Sequence, residues 1–198
     1  MLPTGALVLS LAALAAAAPS NEPRAVDNSG PFQIYAYGTG IGGLSLFSSG
    51  GDAYFGDHTT FNDSQAAPVI FTPSTENVWT GAPNTTGFDA NSTLPAWSNL
   101  TFSVPSTGSG DHAVGFTNST AASGRQTSGF ILYGTFIFVE STAAGGGMES
   151  LWYATPSSVD GVYSLKWNQT GDASADQITL TLKKTPPSNS GSQTRDSL

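Results

Sequence analysis

Clusters of Gly, Ser, Pro and Asn divide this chain into twelve short segments that are apolar or alternate between apolar and polar residues. This punctuation is typical of β-strands joined by turns, because Gly and Asn adopt turn conformations and a period of two suits a pleated sheet. Outside the first residues, no window shows an apolar stripe at helical spacing. The sequence therefore predicts one compact, all-β, antiparallel domain of about ten to twelve short strands.

Three segments make this expectation specific. Residues 177–183, "QITLTLK", alternate strictly and predict a strand with one buried face. Residues 129–140, "GFILYGTFIFVE", are almost continuously apolar and predict two strands that are either buried on both faces or at the centre of a barrel, and we expect the core here. The pair Asp160-Gly161 lies between two apolar segments and predicts a hairpin turn.

The pattern leaves two topologies open. Many short strands with regular turns favour a β-sandwich. Three stretches of the chain each follow the order strand, Ser/Gly-rich turn, strand, and grouping them into three units of four strands favours a β-trefoil-like barrel, which has no exposed sheet edges.

The chain divides into four regions by composition. Residues 1–17 form an apolar run that ends in small residues, as in a secretory signal peptide, and residues 18–30 form a polar, flexible lead. Residues 31–185 are the all-β domain, and residues 186–198 form a Pro/Gly/Ser-rich tail that we expect to be disordered. The signal peptide predicts a secreted, extracellular protein, with the cell wall as a candidate location. No segment reaches the length of a membrane span.

Charge and cysteine content narrow the function classes. The formal net charge is −8 with six Lys and Arg residues, so the chain lacks the electropositive surface that nucleic acid or anionic lipid requires. It contains no cysteine, although secreted domains commonly use disulfides. We therefore expect the fold to be held by its core, with attached sugar as a candidate source of further support.

Six of the ten asparagines lie in N-glycosylation sequons, which indicates a glycoprotein. A glycosylated asparagine must face solvent, so the sequon-rich stretch 84–99 is expected to be a sugar-covered surface. The sequon residues are Asn62, Asn84, Asn91, Asn99, Asn118 and Asn168.

The only two histidines, His58 and His112, both lie in the tripeptide Gly-Asp-His. One interpretation is a metal site built from two histidines and a carboxylate. The other is one Gly-Asp turn used twice, in which the aspartate binds its own backbone. We favour the turn, because adjacent side chains of a strand point to opposite faces and so cannot both be ligands. No metal and no other cofactor is predicted.

Glu140 and Glu149 stand at the two ends of a Gly-rich connection. If the strand 135–140 pairs with 150–154, the two carboxylates meet at the mouth of a hairpin, as a retaining glycoside hydrolase would require. The chain has no Gly-x-Ser-x-Gly elbow and no nucleophilic triad. Catalytic residues are therefore not assigned, and the hydrolase stays an alternative.

Aromatic residues are candidates for carbohydrate contact, because flat rings with polar tips suit sugar faces. The candidates are Trp79, Trp97, Trp152 and Tyr153. Of the adjacent pair Trp152 and Tyr153, one side chain is expected to face outward. The competing interpretation is that these rings fill a core without disulfides.

The segment "WYATPSSVDGVYSLKW", Trp152 to Trp167, resembles the corresponding region of the phialide-type secreted cell-wall proteins of filamentous fungi, and "PFQIYAYGTG" is loosely similar to their opening strand. Those relatives contain cysteines, whereas this chain has none. More generally, the chain resembles small secreted fungal proteins of unknown function. The resemblance implies a wall-associated glycoprotein without an established enzymatic activity. The residues that carry it are Ala154, Pro156, Ser158, Asp160, Gly161, Ser164 and Leu165.

These features together predict a secreted, N-glycosylated structural protein of the cell wall or extracellular space that contacts wall polysaccharide. The alternatives are a glycoside hydrolase that uses Glu140 and Glu149, and a secreted protein that interacts with a host.

Overall fold

The computed structural model describes residues 30–143 and 145–188. This part of the chain contains fifteen strands, one 3₁₀ turn at His58–Thr60 and no α-helix. The predicted signal peptide, all of the predicted lead except its last residue, and residues 189–198 of the predicted tail lie outside the described residues.

The strands follow one another along the chain, and the longest connection in the described residues joins the fifth strand to the sixth. They are β1 (Tyr35–Gly38), β2 (Ile41–Ser48), β3 (Ala53–Phe55), β4 (Ala67–Pro73), β5 (Trp79–Pro83), β6 (Leu100–Pro105), β7 (Gly115–Thr117), β8 (Arg125–Gln126), β9 (Phe130–Tyr133), β10 (Phe136–Glu140), β11 (Met148–Glu149), β12 (Trp152–Pro156), β13 (Tyr163–Trp167), β14 (Ile178–Thr179) and β15 (Thr181–Lys183).

The strands form one branched sheet in which every described pairing is antiparallel. The main path runs β11-β10-β15-β1-β2-β3-β13-β12-β14, and β9 pairs with β10. The long strand β2 also pairs with β4, which starts a branch through β5 and β6 to β7 and β8. The all-β antiparallel prediction is confirmed. Because this sheet does not close, the barrel alternative is wrong.

Aromatic side chains fill the space between the branch and the main path. The ring of Phe102 on β6 lies 4.9 Å from that of Phe130 on β9 and 6.5 Å from that of Trp152 on β12. Trp79 on β5 also packs on Phe130, with ring centroids 5.3 Å apart. Such large rings bury much apolar area per residue, which explains how the fold is held without disulfides.

Two hairpins show how the glycine positions set the turns. Strands β1 and β2 meet at the pair Gly38 and Ile41, and Gly40 in the turn has a φ of 73°, which favours glycine. Strands β12 and β13 pair from Trp152 opposite Trp167 to Pro156 opposite Tyr163. The hairpin predicted from Asp160-Gly161 is thus confirmed, with Gly161 at a φ of 74°.

The segment 177–183 alternates as predicted, but it forms two strands with different partners. Leu180 and Leu182 are buried, whereas Thr179 and Thr181 are exposed. The amide of Leu180 donates to the carbonyl of Trp152 at 2.9 Å. On either side of it, β14 pairs with β12, and β15 pairs with β1 and β10. This segment therefore links two regions of the sheet.

The hairpin of β9 and β10 differs from the prediction that both of its faces are buried. Phe130, Ile137 and Val139 lie in the core, but Tyr133 is 66% exposed and Phe136 is 40% exposed. One face of the hairpin packs on the core while the other meets solvent. The apolar residues on the second face are therefore a surface feature.

Candidate functional site

An aromatic surface covers the outer side of β9, β10, β15 and β1. Phe136 is opposite both Tyr133 and Lys183 in the sheet register, and Lys183 is also opposite Tyr35. Directly opposite residues of an antiparallel pair lie on the same face, as do residues two apart on one strand, such as Tyr35 and Tyr37. We call these five residues the aromatic face.

Lys183 contacts two rings of the aromatic face. Its ammonium nitrogen lies 4.7 Å from the ring centroid of Phe136 and 5.0 Å from that of Tyr37, which are cation–π distances. The hydroxyl of Tyr37 donates to the carbonyl of Thr185 at 2.9 Å. Burial raises the pKa of both Tyr35 and Tyr37, so both phenols are neutral at ordinary pH. The face thus combines flat rings, hydroxyls and one positive charge.

Three of the four aromatic residues predicted to contact carbohydrate lie in the core. Trp79 is 2% exposed, and Trp152 and Tyr153 are each 1% exposed. The indole nitrogen of Trp152 donates to the carbonyl of Ile137 at 3.0 Å, so this residue connects β12 to β10. None of the three has a ring face that a polysaccharide could reach, and the prediction is corrected for them.

Trp97, the fourth candidate, is half-buried and anchors the long loop between β5 and β6. Its indole nitrogen donates to the carbonyl of Gln65 at 2.8 Å. Its ring lies 6.2 Å from that of Phe116, and a Cβ placed on Gly50 would meet the Trp97 side chain at 3.1 Å. This close packing gives Trp97 a structural role.

Tyr153 is buried because the second face of β12 is covered as well. Its hydroxyl donates to the carboxylate of Asp172, and its ring lies 6.3 Å from that of His112. Burial and the bond to Asp172 raise the pKa of Tyr153. Hydrogen bonds from Ser174 and Tyr153 lower the pKa of Asp172 to about 2. The alternation rule fails here because a loop covers the outer face.

The two Gly-Asp-His tripeptides contain the same turn, as predicted. The Asp57 carboxylate accepts a hydrogen bond from the amide of Thr59 at 2.9 Å, and the Asp111 carboxylate accepts one from the amide of Ala113 at 2.9 Å. In both cases the aspartate binds the backbone two residues ahead.

After these turns the two histidines have different surroundings. His58 begins the 3₁₀ turn, and burial lowers its pKa, so its imidazole is neutral at ordinary pH. His112 is buried, and its Nδ1 lies 3.0 Å from the carbonyl of Trp167. In residues 30–143 and 145–188, no three His, Asp or Glu side chains come together to hold a metal ion.

The register of β10 and β11 separates the two glutamates. Strand β10 pairs with β11 rather than with residues 150–154, and Glu140 is opposite Met148 while Val139 is opposite Glu149. Because neighbouring residues of a strand alternate between faces, the side chains of Glu140 and Glu149 project to opposite sides of the hairpin. The two carboxyl groups of a retaining glycosidase flank the scissile bond and lie only about 5–5.5 Å apart. This geometry does not support the predicted pair.

All six sequon asparagines reach solvent. Asn84 and Asn168 are half-buried and the other four are exposed. None of the six lies on β1, β9, β10 or β15, the strands that carry the aromatic face. The sequons and the aromatic face therefore occupy different segments of the chain. The sequon residues are Asn62, Asn84, Asn91, Asn99, Asn118 and Asn168.

Sequence reasoning did not find Tyr133 and Phe136, because the segment 129–140 has the composition of a buried strand pair. A detectable signal was the connection Gly134-Thr135, which is short enough to make a hairpin and so to place Tyr133 opposite Phe136.

No protein-family model, curated protein or solved structure matches this chain. Within the described residues, no helix has the length and apolar character that crossing a membrane requires.

Proposed function

We propose that this protein is a secreted, N-glycosylated structural component of a cell wall or extracellular layer, and that its aromatic face contacts a neutral polysaccharide. The observation that carries the proposal is the exposed platform of Tyr133 and Phe136, which continues through Lys183 to Tyr35 and Tyr37.

The chemistry of the aromatic face suits sugar rings. Aromatic rings offer apolar area to the carbon-bound hydrogens of a sugar, and phenol hydroxyls offer hydrogen bonds to its hydroxyls. The ammonium of Lys183 adds hydrogen-bond donors that sugar oxygens can accept. An open sheet surface suits an extended polymer, whereas small ligands are bound in concave pockets. Contiguous exposed apolar surface on a soluble domain commonly marks such a contact.

Charge favours a neutral polymer over an acidic one. The chain has a formal net charge of −8, and Lys183 is the one cation among the five residues of the aromatic face. A polyanion would meet repulsion from the protein as a whole. β-Glucan, chitin and mannan are uncharged, and they are the polymers we expect to bind.

Two sequence features support the proposal of a wall-associated glycoprotein. The six sequons lie outside the strands of the aromatic face, so attached glycans would not originate from the binding surface. The resemblance of Trp152 to Trp167 to phialide-type wall proteins indicates a similar location, and this segment forms the β12–β13 hairpin.

The test is co-sedimentation of the secreted glycoprotein with insoluble β-1,3-glucan, chitin and mannan, with an assay for soluble sugar. We expect retention on at least one polymer without sugar release. Substituting Tyr133→Ala or Phe136→Ala removes a stacking surface and should weaken retention by about tenfold. Wild-type protein that binds none of the polymers would overturn the proposal.

Leu94→Ala is the matched control, because Leu94 is 53% exposed but lies in the loop between β5 and β6. It should leave retention unchanged. An equal loss in the Leu94 variant would show that binding is general adhesion of apolar surface. Release of oligosaccharide by the wild type would instead favour a hydrolase.

A further inference from the structure

A cleft of about 590 Å³ lies between the 3₁₀ turn and the loop that connects β5 to β6. Its volume falls within the usual range for small-ligand sites, about 300–1,000 Å³. Its lining includes Phe61, Phe88, the carboxylates Asp63 and Asp89, and Asn62 itself. A predicted glycosylation site therefore forms part of the wall of a cleft.

The two aromatic walls of this cleft, which we call the Asn62 cleft, are held from behind. Phe61 packs on Phe47 and Tyr54, with ring centroids 5.4 Å and 4.7 Å apart. Phe88, which also lines the cleft, stacks on His58 at 5.8 Å, with 22° between the ring planes. The rings of Phe61 and Phe88 are thus each held in position by other side chains.

The loop that carries Phe88 is hydrogen-bonded to the rest of the fold mainly near its two ends. The amide of Asn84 donates to the carbonyl of Pro68 at 2.7 Å, and the amide of Ala96 donates to the side chain of Gln65 at 2.7 Å. Between these points the backbone hydrogen bonds are local turns, such as Phe88 to the carbonyl of Thr85 at 3.1 Å. A ligand that fills the cleft would hold the middle of the loop against the 3₁₀ turn.

We propose that the occupant of the Asn62 cleft is the proximal sugar of a glycan attached to Asn62. The sugar stacks between Phe61 and Phe88, and its hydroxyl and amide groups donate hydrogen bonds to the Asp63 and Asp89 carboxylates. The glycan then acts as an internal clamp on the loop. This inference rests on the glycoprotein part of the proposed function and is independent of the aromatic face.

Tethering is what selects this ligand over a free sugar. Attachment forms a bond between the side-chain nitrogen of Asn62 and the anomeric carbon of a lipid diphosphate sugar donor. The lipid diphosphate leaves, and the nitrogen loses one proton. Once attached, the sugar is present at the cleft at the high effective concentration of an intramolecular ligand. Asn91 is in the same loop, but it does not line the cleft.

The test is the enzymatic release of N-glycans from the folded, secreted protein, followed at each sequon by mass spectrometry. We expect the Asn62 glycan to be released at least about tenfold more slowly than the glycan at Asn118, because release requires the cleft to open. In the denatured protein the two rates should be equal.

Variants of Phe88 test whether a flat ring stacked on the sugar, rather than the bulk of the nearby loop, slows release of the Asn62 glycan. Phe88→Ala should raise the release rate at Asn62 towards the rate at Asn118. Phe88→Leu keeps apolar bulk in the loop without a flat ring, and should give an intermediate rate in a protein with unchanged folding. Leu94→Ala lies in the same loop but not in the cleft lining, and should have no effect.

The contrary results separate a failure of the clamp from a failure of the glycoprotein proposal. An unmodified Asn62 alongside other occupied sequons would overturn the clamp and leave the glycoprotein proposal standing. Equal release rates at Asn62 and Asn118 in the folded protein would overturn it too, and so would protection at Asn91 instead. If no sequon is occupied, both the clamp and the glycoprotein proposal fail.

Discussion

Replacing Arg125 by methionine should destabilise this domain by about 3 kcal/mol, because the guanidinium donates hydrogen bonds to two other segments of the chain, at Ser103 and at Ala113. Its Nε donates to the Ser103 hydroxyl at 2.7 Å, and its Nη2 donates to the carbonyls of Ser103 and Ala113 at 3.1 Å and 2.9 Å. Ser103 is fully buried and Arg125 is half-buried. Methionine keeps the length and apolar stem of the side chain but donates nothing.

The magnitude follows from the acceptors that lose their donor. A buried acceptor left without a partner costs about 1–3 kcal/mol, and the substitution affects two carbonyls and one hydroxyl. The ion pair of Arg125 with Asp111 adds little, because the two charged groups are 3.6 Å apart and the Asp111 side chain is 62% exposed. Such pairs contribute about 0–1 kcal/mol. The hydrogen bonds therefore dominate.

Urea unfolding followed by tryptophan fluorescence measures this difference directly. A loss of about 3 kcal/mol should also lower the melting temperature by about 6–12 °C in a domain of this size. The matched control is Asp111→Asn, which removes the charge while keeping an oxygen that can accept from the amide of Ala113. It should cost less than about 1 kcal/mol.

Two results would refute this reasoning. One is a loss below about 1 kcal/mol in the Arg125 variant, which would mean that water replaces the guanidinium. The other is an equal loss in the Asp111 variant that disappears in high salt. That outcome would show that the ion pair, which salt screens, is the stabilising interaction.

Two further predictions concern packing and pH. Gly81→Ala should cost about 1–3 kcal/mol in thermal unfolding, because the new Cβ would lie 2.5 Å from Cε1 of Phe116 in the core. Gly42→Ala, whose Cβ would meet no atom within 4 Å, should cost less than about 1 kcal/mol. The pKa of Asp172 falls from its ordinary 3.8 to about 2 on folding, so the stability it contributes is complete above pH 4 and is lost as pH falls to 2. Asp172→Asn should flatten the pH dependence of the melting temperature in that window, and an unchanged slope would contradict the role of the hydrogen bonds that Asp172 accepts from Ser174 and Tyr153.

The strands of this fold could be located from sequence because each is short and bounded by residues that break it. Each of the twelve apolar segments overlaps at least one strand. The strands β8 and β11 were not predicted, since each has two residues and no apolar pattern. The position of a strand can be predicted from neighbouring residues, mainly from the turn residues that end it.

The facing of the aromatic residues could not be predicted, because it depends on what lies above each strand. Trp152 faces the core, and Tyr153 on the other side of β12 is also buried because the loop that carries Asp172 covers it. Phe136 and Tyr133 are exposed because no segment within residues 30–143 and 145–188 covers the outer side of their hairpin. Alternation assigns residues to two faces, but only tertiary contacts decide which faces are covered.

Dependence on tertiary structure also explains why the structure does not support the Glu140 and Glu149 pair, whereas it contains both predicted Gly-Asp turns. The glutamates needed a particular register between strands, and a shift of one residue moves a side chain to the other face. The turns of Asp57 and Asp111 needed only the backbone two residues ahead. Site predictions from one sequence are therefore soundest where the chemistry is completed within a few residues. By that standard, a glycan that begins at Asn62 and is bounded by the adjacent Phe61 is a local hypothesis, whereas the aromatic face required the assembled sheet.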